Sequence, residues 1–144
     1  MTGAGHATPS LTRNQALVLD QLTAASGPLS AYALLDLLRD HGLRAPPQVY
    51  RALEKLVALG LVHRLESLNA FVVCQQPGCA PHTAVIFTIC VTCGAVAEIP
   101  GEPVAGQFQS LAAGADFAVE RSVVELRGRC RPCRTATVSS RADA

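Results

Sequence analysis

The sequence predicts an α+β chain in two parts: a three-helix domain with a β-hairpin, then an α/β domain. Three observations predict it. Helical spacing of apolar residues recurs three times before Gly60 and is followed by two short β-rich runs. Composition changes after Gln75-Gln76-Pro77-Gly78, which reads as a linker. Two Cys-x-x-Cys steps, Cys90–Cys93 and Cys130–Cys133, bracket most of what remains.

Taken in order, residues 1–10 read as a disordered lead. Thr12 can cap a helix running to about Ala24, with Ala16, Leu17, Val18, Leu19 and Leu22 on its apolar faces. Gly27-Pro28 ends it. Ser30 can cap a second helix carrying Leu34, Leu35, Leu37 and Leu38 toward Gly42. Pro46-Pro47 opens a third, since proline is tolerated in a first turn, and Gly60 closes it. Strands 61–65 and 70–74 then turn through Glu66-Ser67-Leu68-Asn69. Three helices followed by such a hairpin form the winged variant of the helix-turn-helix. Residues 11–75 are thus one domain and 76–82 a hinge. Residues 83–134 follow as a second domain, with strands at 83–89, 94–99 and 117–126 and a helix at 103–113. Residues 135–144 read as a polar, disordered tail.

The cysteine pairs carry the strongest chemical signal. Two thiolates two residues apart fit one tetrahedral ion, with sulfurs about 2.3 Å from zinc, and two such pairs fill every corner. No position is left for water or substrate, so Cys90, Cys93, Cys130 and Cys133 describe a structural zinc site. The 36 residues between Cys93 and Cys130 make the ion a tie between distant segments of a real domain. The alternative, redox dithiols or a disulfide framework, is disfavoured by the absence of a secretory leader at Met1–Ser10. No apolar run approaches the ~20 residues of a membrane span, and a cytoplasmic protein is expected. With 49% apolar and 16% charged residues the chain can bury a core.

The third helix carries the sharpest non-metal pattern. Val49, Ala52, Leu53, Leu56 and Gly60 form one stripe, and at about 100° per residue Arg51 falls nearly opposite its centre. Gln48 and Lys55 share the face of Arg51, and Tyr50 lies on the flank. Arginine can fork onto guanine, glutamine onto adenine, and an aromatic ring can pack on a thymine methyl. A merely solvated polar face is the competing reading, and the wing and Pro-Pro start favour DNA. Net charge is only +1, and residues 1–75 hold six basic groups against five acidic ones. One copy would make few phosphate contacts, so DNA binding calls for a homodimer on a two-fold site.

Outside the four structural cysteines stand Cys74, Cys79 and four histidines. His63 and Cys74 fall close to each other across the hairpin, His82 can fold back from the linker, and Glu98 lies five residues beyond Cys93. A His-Cys-His-carboxylate set would hold a second zinc, the thiolate disfavouring manganese and oxygen-ligated iron. Cys79 could replace Glu98 or His63, or be a spare thiol. His6 and His41 are expected to face water.

With these residues in view, the chain resembles the ferric-uptake-regulator superfamily, in its zinc-uptake-regulator branch, over roughly residues 11–134. The resemblance is carried by Leu29–Arg39, by Pro47-Gln48-Val49-Tyr50-Arg51-Ala52-Leu53, by Gly60–Ser67 around His63 and Glu66, and by Cys90-x-x-Cys93-Gly94-Ala95-Val96 with Cys130-x-x-Cys133. It implies a metal-dependent repressor dimer with a winged helix, a hinge and an α/β dimerisation domain. Carried over, Cys90, Cys93, Cys130 and Cys133 are the structural cage, and His63, Cys74, His82 and Glu98 the zinc-sensing site. Tyr50 and Arg51 are the recognition pair, and Tyr32 a second DNA-facing tyrosine. The histidine-rich run that precedes the first cysteine pair in iron-sensing relatives is absent, which favours zinc. The interval from His82 to Cys90 is one residue longer than in the zinc branch. Cys79 has no counterpart, and the family's His/Cys-rich tail is missing.

The expectation is a zinc-responsive repressor, binding double-stranded operator DNA as a dimer with two zinc ions per monomer, one structural and one regulatory. No enzyme activity, small-molecule substrate or membrane partner is expected. A zinc carrier would use the same ligands, but has no need of the Tyr50-Arg51 helix. A zinc hydrolase needs an open coordination position and a general base, and no His-Glu-x-x-His run occurs. Asp36 and Arg39, three apart, read as an ordinary intrahelical pair, with cross-pairing between dimers as the alternative.

Overall fold

The structure is a computed structural model that describes residues 10–75 and 84–142, with side chains to residue 136. The chain divides into two compact units between residues 81 and 82. The first contains α1 (Arg13–Ala24), α2 (Ala31–Leu38), a 3-10 turn (Arg39–His41), α3 (Pro46–Ala58) and the antiparallel hairpin β1 (Val62–Leu65) and β2 (Ala70–Val73). Its helix starts follow from side-chain chemistry. Thr12 Oγ1 accepts from the Gln15 amide at 3.2 Å while Gln15 Oε1 accepts from the Thr12 amide at 3.0 Å, a reciprocal cap. Ser30 Oγ accepts from the Ala33 amide at 3.1 Å.

The second helix is shorter than expected. It tightens into the 3-10 turn at Arg39, and the Leu43 amide reaches the Leu38 carbonyl at 3.2 Å, which tucks Leu43 into the core. α3 ends with Gly60 at φ +77°, where the Leu61 amide returns to the Leu56 carbonyl at 3.0 Å and directs the chain into the wing. Val18, Leu34, Leu38, Leu43, Val49, Leu53, Leu56 and Val62 are buried together. Each such side chain contributes about 1.5–3 kcal/mol when fully buried. The wing gains an element the sequence hides: Leu29 and Phe71 exchange amide–carbonyl bonds of 3.0 and 2.8 Å, making a one-residue third strand.

The second unit contains β3 (Val85–Cys90), β4 (Val96–Pro100), α4 (Glu102–Gly114), β5 (Val123–Gly128) and α5 (Arg131–Ala142). Its sheet order is β4-β3-β5, with β4 antiparallel and β5 parallel to β3. The parallel pair requires a crossover, and β4 and α4 supply it. The expected strand over 117–126 starts later, at Val123. The expected disordered tail is instead helical from Arg131 to Ala142. Pro132 sits in a first turn, where its missing N–H costs nothing, and Thr135 Oγ1 donates to the Arg131 carbonyl at 3.0 Å. No helix among the described residues is long and apolar enough to cross a membrane.

Candidate metal centre and recognition helix

Cys90 is the last residue of β3, and the turn after it is closed by the Gly94 amide on the Cys90 carbonyl at 2.9 Å, with Gly94 at φ +80°. The Val91 amide continues the parallel ladder to the Gly128 carbonyl at 2.8 Å, so β5 ends beside β3. Cys130 follows two residues later, and α5 then carries Cys133 back toward the pair. All four sulfurs lie within 4.8 Å of one another, with Cys93 and Cys130 at 3.6 Å. A tetrahedral zinc with arms of about 2.3 Å has sulfur–sulfur edges of about 3.8 Å, whereas a disulfide needs about 2.05 Å. None of the four is disulfide-bonded. Four soft donors with no carboxylate among them fit zinc in a closed, structural site.

Backbone geometry prepares the first ligand. The amides of Cys93 and Cys130 donate to Cys90 Sγ at 3.5 and 3.4 Å. These donors, Cys93 first, bring the Cys90 thiol down to about 5, so it is a thiolate at neutral pH. The neighbouring sulfurs of Cys130 and Cys90 push Cys133 up to about 12. Cys93, although the Ala95 backbone favours its thiolate, is held above the usual thiol range by Cys90 and Cys130. Zinc binding here would be coupled to loss of thiol protons, since only thiolates ligate the metal. Arg127, Arg129, Arg131 and Arg134 are exposed and flank Cys130 and Cys133 in sequence, with no carboxylate between Glu125 and Asp143. A zinc ion held by four thiolates would be a net dianion, a charge that basic neighbours favour.

Of the second ligand set, His63 and Cys74 belong to the first unit. The register places His63 opposite Val72, and the Cys74 amide bonds to the Leu61 carbonyl at 2.9 Å. The two are therefore diagonal neighbours on one face of the hairpin rather than directly facing. Their ligand atoms lie within 4.8 Å of each other. His63 is only 9% exposed, the one buried polar side chain among the described residues. Cys74 is disulfide-bonded here, and only its reduced thiolate can hold a metal. Glu98 is half-buried on β4 opposite Phe87, in the second unit. His82 and Cys79 lie outside the described residues, as does His6. His41 is exposed.

On α3, Val49, Ala52, Leu53 and Leu56 are buried, while Tyr50, Arg51 and Lys55 are exposed, as the spacing requires. Tyr32 is 62% exposed on α2. Gln48 differs from expectation. Its Oε1 accepts from the backbone amides of Arg44 and Ala45 at 2.9 and 3.1 Å, so it holds the start of α3 instead of standing free on the DNA-facing side. Arg39 and Asp36 pair at 3.3 Å within one protomer, and both are well exposed. Asp36→Ala should change unfolding free energy by less than about 0.5 kcal/mol in a denaturant titration.

No family model matches the chain. The zinc uptake regulation protein of Escherichia coli K12 is 43% identical over 124 residues, covering 85% of this chain and 72% of the relative. The protein of the same name from Shigella flexneri matches equally. Among solved structures, a zinc uptake regulator complexed with zinc and DNA aligns with a TM-score of 0.81 at 39% identity, covering 90% of this chain and 86% of that one. The holo XcZur crystal structure aligns at 0.79 and 41%, covering 87% and 86%. A ferric uptake regulator from Francisella tularensis with iron, 17% identical at a TM-score of 0.55, shares the fold. On this identity and coverage, the chain belongs to the zinc uptake regulator family.

Proposed function

We propose that this chain is a zinc-responsive transcriptional repressor that binds operator DNA as a zinc-loaded homodimer and controls zinc-uptake genes. The observation that carries it is the exposed Tyr50-Arg51-Lys55 face of α3, in a chain that aligns at 0.81 with a regulator solved with zinc and DNA. Tyr50 and Arg51 read base edges, and Lys55 and Tyr32 contact the backbone. Each chain takes two zinc ions. Cys90, Cys93, Cys130 and Cys133 hold the structural one, and His63, Cys74, His82 and Glu98, drawn from wing, hinge and sheet, hold the regulatory one. Ligands on both sides of the hinge couple metal to the spacing of the two recognition helices. Coupling of about 1–3 kcal/mol is enough to switch operator occupancy.

Dimerisation is supported by the surface of the second unit. The register puts Ile86, Ile99, Val124 and Leu126 on one sheet face, where Ile99 and Leu126 are exposed. Leu111 and Phe117 are 74% and 65% exposed. Apolar surface of this extent calls for a cover, and a second copy provides it while doubling the phosphate contacts. The cytoplasm, where thiols stay reduced, is the compartment that suits the ligands.

The test is selection of bound fragments from random DNA by the reduced protein at fixed salt, with free zinc buffered high or chelated. A two-fold-symmetric sequence recovered only with zinc is the expected result. Recovery regardless of zinc would remove the sensor. No recovered sequence from a zinc-loaded protein would make it a zinc carrier.

A further inference from the structure

We propose that Gln48 is a positioning residue that fixes the entry into the recognition helix, and that it does not read a base. This rests on the reading of α3 as the DNA-facing helix. Helix starts leave backbone amides without partners, and a side-chain oxygen at the residue before the helix normally accepts one of them. Ala45 occupies that position and has no such oxygen. The chain solves the problem differently. Pro46 and Pro47 have no N–H to satisfy, and the Gln48 amide itself reaches the Ala45 carbonyl at 3.1 Å. The two remaining donors, the amides of Arg44 and Ala45, both converge on Gln48 Oε1 at 2.9 and 3.1 Å. Every backbone N–H from Arg44 to Gln48 is thereby accounted for.

That commitment excludes the role the residue type suggests. A glutamine reading adenine presents its oxygen to the N6 amino group and its nitrogen to N7, both in one plane. Oε1 here has both acceptor positions occupied by its own backbone, and turning toward a base would strip two amides of their partner. Gln48 instead acts on Tyr50 and Arg51, two and three residues on, by holding the first turn of α3, on which theirs is built.

The test uses the full-length, zinc-loaded protein with Gln48→Ala and Gln48→Glu. One readout is amide hydrogen exchange at Arg44 and Ala45. The other is binding to the selected operator and to each of its single-base variants. Gln48→Ala should speed exchange at both amides about fivefold, the scale of a lost cap. It should weaken every DNA by one common factor, so the pattern of base preference stays as in the wild type. Gln48→Glu keeps an acceptor and loses the amide donor. It should retain the slow exchange and the same preference pattern, at lower overall affinity from its charge near phosphate. Unchanged exchange in Gln48→Ala, or relaxed preference at an A·T pair in either variant, would overturn the proposal. A wild-type protein with no sequence preference would count against the DNA reading instead, while the exchange measurement still decides the cap.

Discussion

Replacing Cys130 and Cys133 by serine should unfold the second unit, leave the first folded, and remove one zinc per chain. The second unit is about 60 residues, a size at which a single apolar core supplies only about 3–5 kcal/mol without a staple. Its fully buried apolar side chains are few, chiefly Val85, Phe87 and Ile89, and α4 buries none of its residues. A structural zinc site contributes apparent binding energy of about 10–16 kcal/mol in small peptides, more than such a unit holds by itself. The first unit has an independent core from Val18 to Phe71 that includes no residue of the second. Hydrogen exchange resolved along the chain, with zinc counted by mass, separates the outcomes. A double variant with native protection in β3–β5 would show that the sheet stands without the cage.

His63→Ala should abolish the zinc response while leaving the cysteine cage loaded. His63 is buried on β1 with its ligand atom within 4.8 Å of that of Cys74, so its loss takes one donor from the proposed regulatory set. Under reducing conditions, zinc should tighten operator binding by about 5–150-fold in the wild type, the range of ordinary allosteric coupling. In the variant that factor should fall to near one, with zinc per chain reduced from two to one. Retention of the full factor would mean that His63 is only a buried wing residue and that the switch lies elsewhere.

Much of this was legible because short-range chemistry wrote it. Thr12, Ser30 and the Pro46-Pro47 pair mark the three helix starts, each by satisfying or removing an orphan amide. The convergence of Cys90, Cys93, Cys130 and Cys133 was legible from spacing alone, because two residues between cysteines match the bite of a tetrahedral ion. What escaped has a different cause in each case. The Leu29–Phe71 bridge is a single residue long and has no period to detect. The α5 helix runs through Thr135, Thr137, Val138, Ser139 and Ser140, a polar stretch of modest helix propensity that looks like a tail in sequence. Gln48 has the helical angle of a solvent-facing residue, whereas the amides its Oε1 accepts from precede the helix. Angle on a wheel says nothing about a side chain that folds back along the axis.

The parallel pairing of β3 with β5 also orders events during synthesis. The first unit needs nothing beyond the hairpin at residue 73, so it can fold while the rest is still being translated. The second must wait, since β3 finds its parallel neighbour only after more than thirty intervening residues, and Cys133 lies beyond that. Until then Cys90 and Cys93 sit in a nascent chain as an exposed pair of thiols. If the second unit unfolds without its zinc, as expected of the Cys130 and Cys133 double variant, the zinc available during synthesis sets how much folded chain is made.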